Sequence, residues 1–339
     1  MDELSSSAEK VWLAIIIPAY KGSFLAEALA SIAAQTDRRF RVYVGDDASP
    51  EDLRKICDEF QADIDLKYCR FEEKFGGKSL VDQWCRCIEL STEPWIWLFA
   101  DDDVMEKGCV DCFYRGLEET RGAYDVYRFN TLTIDGGGRV IKVNRPHPEH
   151  ESALEFAYHR LRGNRDSYAS EYLFSRQIYN KCGGMTRFPL AWCADDATWI
   201  SFAAARGIRT ISGPHVLWRR SGLNITSLKG ATIPAKLEAA AMFADGLTAR
   251  FSDADFADSK VPRTLFEEAQ RDWFFGQLRS MAPLPRSLWL NWPKFPKILS
   301  EHTRRQIFAR LIYIHLCWMS QSVVRGMKKV IDRPSETSD

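Results

Sequence analysis

Nowhere in the 339 residues do about 18 uncharged apolar residues run together, the length a helix needs to cross bilayer hydrocarbon. A membrane-spanning chain is therefore not expected. Charge of one sign is also missing: 46 Lys and Arg balance 46 Asp and Glu, so no global field draws the molecule to nucleic acid. No internal repeat or low-complexity tract appears, which leaves out solenoids and linkers. The opening MDELSSSAEK is polar and acidic, and the apolar run after it is interrupted by Pro18, so no secretory signal is read there. The nine cysteines are odd in number and scattered through hydrophobic segments, unlike a disulfide framework. Cys109 and Cys112 form a CxxC without a second pair or a nearby His, and read as two thiols packed on a helix rather than a zinc site. A reducing, cytoplasmic setting is expected.

What is present is the makeup of a globular protein, 45% apolar and 27% charged, long enough for about two domains. The first hundred residues alternate two periodicities, the pattern of a mostly parallel sheet covered by helices on both faces. WLAIIIPAY, RVYVGDD, IDLKYCRF and PWIWLFADDD read as strands; FLAEALASIAAQ, PEDLRKICDEF and SLVDQWCRCIEL read as helices, the first with Leu25, Leu29 and Ile32 inward. A hairpin is expected at IDGGGRVI, one helix from Ser152 to Leu161 and another near Ala197 to Ala205. Beyond Gly230 the chain becomes helical and aromatic-rich. The expected division is a polar segment over 1–10, an α/β domain over 11–229 and a helical region over 230–339.

Ligands of such open sheets bind at the carboxyl ends of the strands. Those ends are polar here: Pro18-Ala19-Tyr20, Asp46-Asp47 and Asp101-Asp102-Asp103. Three consecutive carboxylates after WIWLF repel one another unless a proton or cation neutralises them. Their hard oxygens suit magnesium or manganese, which bridges substrate phosphates; a helix cap with two exposed acids is the competing structural account. Asp195-Asp196 opens a helix, where two acids can cap the positive end or take a proton from a hydroxyl.

IIIPAYKGS, VYVGDDASPED, FGGKSLVDQWCRCI, WLFADDDVM and GGMTRFPLAWCADDATWISFAAARG, in that order, resemble the family 2 glycosyltransferases, inverting enzymes of the GT-A fold. The resemblance spans about residues 10–228. It implies that Pro18, Ala19 and Tyr20 line the nucleobase end, with Asp47 accepting a hydrogen bond from the base. Asp101 and Asp103 match the DxD motif, with Asp103 the metal ligand, Asp101 sharing that role, and Asp101 or Asp102 near the ribose. Gly76, Gly77 and Lys78 match the loop that closes over the nucleotide. Where relatives carry Arg-Asn in the next helix, this chain has Asp82-Gln83. Asp196 falls at the general base, with Asp195 second. Trp218-Arg219-Arg220 matches an aromatic-Arg-Arg-His segment whose basic groups approach the diphosphate. Ser221 replaces its His, a loss for which His215 is a candidate, although a lone His is more often a satisfied packing residue.

The implied activity is transfer of a sugar from a nucleotide donor, UDP by default, to a glycan or glycolipid hydroxyl in cell-surface polysaccharide assembly, with Mn2+ or Mg2+ as cofactor. A sugar-phosphate nucleotidylyltransferase would show a Gly-rich loop after the first strand, where IIIPAYKGS has one Gly. A non-catalytic nucleotide-sugar binder would have no use for two sets of clustered acids. Nine Lys or Arg lie between Lys294 and Arg333 against Glu301 and Asp332, beside Ile307, Leu311, Ile314 and Trp318. That basic amphipathic pattern suits either peripheral contact with an anionic membrane or packing on the catalytic domain.

Overall fold

The computed structural model describes residues 12–222 and 230–281. The basic segment from Lys294 to Arg333 lies outside the described residues. The chain runs β1 (Leu13–Ala19), α1 (Leu25–Ala33), β2 (Phe40–Asp46), α2 (Leu53–Asp58), β3 (Leu66–Arg70), α3 (Leu80–Ile88), β4 (Trp95–Leu98) and β5 (Val104–Met105). It continues with α4 (Cys109–Glu119), β6 (Val126–Ile134), β7 (Val140–Val143), β8 (His150–Glu151), α5 (Ala153–Leu161), β9 (Tyr172–Ser175), α6 (Arg176–Lys181) and α7 (Ala194–Phe202). The last strand is β10 (Ile208–Arg219), followed by α8 (Ile233–Arg250), α9 (Asp253–Ala257) and α10 (Arg263–Ser280).

The strands form one sheet in the order β3-β2-β1-β4-β9-β6-β10-β5, with β7 paired to β6 and β8 to β10. Its first four strands are parallel. β9 then runs antiparallel between β4 and β6, and β10 returns parallel to β6. β1 and β4 are apolar at nearly every position because helices cover both faces of a parallel sheet. Alternate residues of β1 accordingly enter two cores. Ala14 and Ile16 pack with α3, α5 and α7; Leu13, Ile15 and Ile17 pack with α1, α2 and α4.

Local signals agree with this arrangement. Leu25, Leu29 and Ile32 are buried on α1. Ser152 and Glu155 form a capping box that starts α5 where the sequence expects it. Cys109 and Cys112 are both buried on α4, and the eight described cysteines are free thiols. The expected hairpin is the β6–β7 turn, where Gly138 N–H donates to the Asp135 carbonyl at 3.1 Å. α7 starts three residues earlier than the apolar pattern suggests, so Asp195 and Asp196 lie inside its first turn. Phe243 and Leu247 of α8 and Phe266 and Ala269 of α10 join the same core as α5 and α7.

Candidate active site

Parallel pairing brings the carboxyl ends of β1, β2 and β4 to one rim. Ala19 stands opposite Asp46, and Ile16 opposite Leu98, so the residues after each strand share an edge. Two adjoining pockets open along it, of about 410 and 930 Å³, sharing Pro18, Leu80, Asp101 and Asp102.

The smaller pocket gathers the expected nucleobase residues. Pro18, Ala19, Tyr20, Asp47, Gly76 and Gly77 all line it. Lys78 belongs to the same loop but is not among the lining residues; its N–H donates to the Phe75 carbonyl at 2.7 Å. Asp47 is already engaged. It accepts from the backbone N–H of Phe75 at 2.6 Å and of Gly76 at 2.7 Å, and from Arg86 Nη2 at 2.7 Å. Glycine is required at 76, since a Cβ there would approach Asp47 Oδ2 to 2.7 Å. Asp47 thus ties the loop to the strand end, and any bond from a base adds to an occupied carboxylate.

The acid triplet sits where the pockets meet. Asp101 Oδ2 accepts from the N–H groups of Tyr20 and Lys21 at 3.0 and 3.3 Å, locking the end of β4 to that of β1. Asp103 Oδ1 accepts the Arg219 N–H at 2.8 Å and the side chain is almost wholly buried. Burial raises the pKa of Asp101, while the N–H groups of Tyr20 and Lys21 pull it down. Burial, then repulsion from Asp101, pushes Asp102 up to about 6. Burial, then repulsion from Asp102, pushes Asp103 up to about 8. The triplet therefore resists full ionisation, and a proton or a cation would relieve the charge that ionisation brings. Among the described residues no three His, Cys, Asp or Glu side chains converge into a complete metal cage. One or two carboxylates plus substrate phosphates are the usual holding set for magnesium-type ions, and the oxygens of Asp101 and Asp103 fit that mode.

The two arginines of the Trp218-Arg219-Arg220 segment divide sharply. Arg219 is fully buried, and its guanidinium donates to the Asp102 carbonyl at 2.7 Å, to Glu27 at 2.6 Å and to the Asp135 and Gly136 carbonyls at 3.3 and 3.4 Å. It clamps the turn after β4 onto α1 and lines neither pocket, so it is not placed to meet a phosphate there. Arg220 is exposed and lines the larger pocket. His215 pairs with Glu106, 3.2 Å from its Nδ1, and lines neither pocket.

Asp195 and Asp196 also line the larger pocket. The turn leading to them is strained: Leu190, Ala191 and Cys193 all have left-handed backbone, with φ of 57°, 54° and 61°. That path drives both acids into the first turn of α7. Burial, then the neighbouring Asp196, pushes Asp195 up to about 7. Asp196 is held by a residue that no motif announces. Arg160, in the last turn of α5, donates through Nε to both Asp196 oxygens at 3.0 Å and through Nη2 to Oδ2 at 2.6 Å. Aromatic rings complete this pocket, including Trp84, Trp192, Trp273 and Trp218, the last stacked on Tyr168 at 4.3 Å.

Comparison with known proteins agrees with this architecture. The family described as "Glycosyl transferase family 2" matches residues 14–178. A stretch of 108 residues is 22% identical to Glycosyltransferase GlyG of Streptococcus pneumoniae serotype 4 (strain ATCC BAA-334 / TIGR4), covering 32% of this chain and 35% of GlyG. The chain thus matches about a third of that relative's length. The crystal structure of S. aureus TarS 1–349 in complex with UDP-GlcNAc superposes with a TM-score of 0.65 at 14% identity, covering 89% of each chain. GalNAc-T7 with UDP, GalNAc and Mn2+ superposes with a TM-score of 0.52 at 11% identity, over 82% of this chain and 59% of that one.

Proposed function

We propose, from the match of residues 14–178 to glycosyl transferase family 2, that the chain transfers a sugar, with inversion, from a nucleoside diphosphate to an acceptor hydroxyl. UDP is the first donor nucleotide to test, because the TarS and GalNAc-T7 structures hold UDP-GlcNAc or UDP. A glycan or glycolipid of the bacterial cell surface is the acceptor class that the family resemblance favours. The observation that carries the reading is the placement of two acid sets, Asp101 to Asp103 and Asp195-Asp196, on the walls of one pocket of about 930 Å³ at the carboxyl edge of the sheet.

Pro18, Ala19 and Tyr20 with Gly76 and Gly77 enclose the nucleobase, with Lys78 behind them on the same loop, while Asp47 orders that loop across it. Asp101 and Asp102 reach the ribose. Asp103, with Asp101, would hold Mn2+ or Mg2+, which when bound would supply neutralisation of charge on the departing diphosphate. Arg220 forks onto diphosphate oxygens, the role its exposed guanidinium can take and that of Arg219 cannot. On the acceptor side Asp196 takes the hydroxyl proton as that oxygen attacks the sugar, with Asp195 beside it. Single displacement needs no covalent nucleophile.

No helix among the described residues is long and apolar enough to cross a membrane. A cytoplasmic enzyme touching the inner face of the plasma membrane through its basic tail is the setting proposed. The test is a panel of nucleotide sugars, UDP-GlcNAc included, with release of free nucleoside diphosphate as the readout. A transferase releases it from at least one member; a nucleotidylyltransferase releases none and instead consumes added pyrophosphate, giving nucleoside triphosphate and sugar 1-phosphate; a binder does neither.

A further inference from the structure

Among the described residues, Arg160 is the strongly placed cation at the acceptor end that neither motif nor spacing explains. It is held in position from several sides. α5 is started by the Ser152–Glu155 capping box, and Arg160 Nη1 donates to the Arg165 carbonyl at 2.6 Å. Its last-turn position places positive charge at the negative end of the helix dipole. Nε and Nη2 then meet the Asp196 carboxylate as a fork, the geometry of a strong charge-assisted pair. Burial works against the Arg160 charge, yet the Asp196 carboxylate outweighs it and raises the hold on the guanidinium proton.

The surroundings of Asp196 are otherwise hostile to an anion. Asp195 and Cys193 face it from the start of its own helix, Glu171 from the turn before β9 and Tyr172 from the first position of β9. None of the four is a cation: burial holds the Cys193 thiol and the Tyr172 hydroxyl neutral, and Glu171 is wholly buried. Arg160 from α5 supplies the opposing positive charge. A carboxylate has about four lone-pair sites. Asp196 Oδ2 receives two of the Arg160 contacts and Oδ1 only one, at 3.0 Å, so Oδ1 keeps a site for a further proton donor while the fork fixes its aim.

We infer that Arg160 is a positioning residue for the transfer, holding Asp196 as an oriented anion whose remaining Oδ1 lone pair receives the acceptor proton. The inference rests on the sugar-transfer reading above. In the step it serves, the acceptor O–H proton passes to Asp196 while the acceptor oxygen bonds to the anomeric carbon. The bond from that carbon to the diphosphate breaks, and its electron pair leaves on the diphosphate.

The experiment compares the full chain with Arg160→Gln and Arg160→Lys, using whichever nucleotide sugar the wild type turns over. Arg160→Gln is expected to lower kcat at pH 7 by about ten- to a hundredfold with donor KM nearly unchanged. The acid limb of its kcat profile should move up by about one pH unit or more, since an opposite charge at this distance favours the anion by that amount. Arg160→Lys should recover part of both effects. A second measurement needs no turnover: carboxyl 13C NMR titration, with the Asp196 resonance assigned by its loss in Asp196→Asn. That resonance should titrate higher in Arg160→Gln than in wild type. An unmoved titration, or a folded Arg160→Gln enzyme with wild-type kcat and pH profile, overturns the inference. A wild type that turns over no donor defeats the sugar-transfer reading instead, and the titration still decides the pairing.

Discussion

Replacing Asp103 by Asn should stabilise the metal-free protein at alkaline pH while abolishing its use of metal. The Asp103 carboxyl holds its proton up to about pH 8 against an ordinary 3.8, through burial first and repulsion from Asp102 second. Between those values the folded chain binds more protons than the unfolded chain, so this group's contribution to stability is present at low pH and is lost as pH rises toward 8. A pKa raised by one corresponds to about 1.36 kcal/mol, so a rise of roughly four sets a ceiling of about 5–6 kcal/mol. Solvent and neighbouring dipoles relax around a bared charge, so about 2 kcal/mol is the expected realised penalty at pH 8.5. The amide of Asp103→Asn stays neutral and keeps an oxygen for the Arg219 N–H. The Tm of this variant in excess chelator should exceed that of wild type by about 3 °C at pH 8.5, at about 1.4 °C per kcal/mol for 339 residues, and converge on it only below about pH 4, the unfolded carboxyl's range. Asp102, Asp195 and Glu171 are also pushed up by burial, to about 6, 7 and 8, so both proteins weaken with pH and only their difference isolates Asp103. Manganese with a donor nucleotide should reverse the order, because only wild type gains stability from binding. An Asp103→Asn protein less stable than wild type by the same margin at both pH values would rule out a buried, proton-holding Asp103.

Asp196→Asn should cut turnover by roughly a hundredfold or more while donor affinity by calorimetry stays nearly intact; an equal loss of both would place Asp196 in donor binding instead. Arg220→Ala should raise donor KM about tenfold, one charged hydrogen bond's worth, and leave Tm unchanged. Arg219→Ala should do the reverse in kind, costing about 2–4 kcal/mol in urea unfolding because it strips a buried cation from Glu27 and three carbonyls. The basic tail should sediment the full chain with anionic vesicles at low salt, at about 1 kcal/mol per well-placed basic residue. A chain ending near Ser300 that still folds should not bind, and equal behaviour of the two would leave the tail as a packing element.

The first half of the fold is legible in the sequence because its strands are covered on both faces. A fully apolar β1 and β4 between amphipathic α1 and α3 can hardly be read otherwise. β9 and β10 give no comparable signal. β9 is four residues long, and β10 carries a bulge between Ile211 and Val216 that breaks its alternation. The strand-end acids are legible because charge after a buried strand needs a reason. Arg219 misleads, since a basic residue beside a phosphate motif looks like a ligand until its buried partners are known. Arg160 leaves no trace in the sequence: it lies on an ordinary helix, and its meaning comes from a partner 36 positions away. The strained turn at Leu190, Ala191 and Cys193 is equally hidden, because none of the three is a glycine.

On the proposed reading, one pocket joins metal-assisted loss of a nucleoside diphosphate to deprotonation of an acceptor. This coupling is tested most directly by incubating the full chain with a nucleotide-sugar panel and manganese, with and without excess chelator, and measuring nucleoside diphosphate released. Release is expected from at least one donor, suppressed by chelator, restored by added manganese or magnesium, and lost in Asp103→Asn. Full release in excess chelator, or the same release from Asp103→Asn as from wild type, would contradict it.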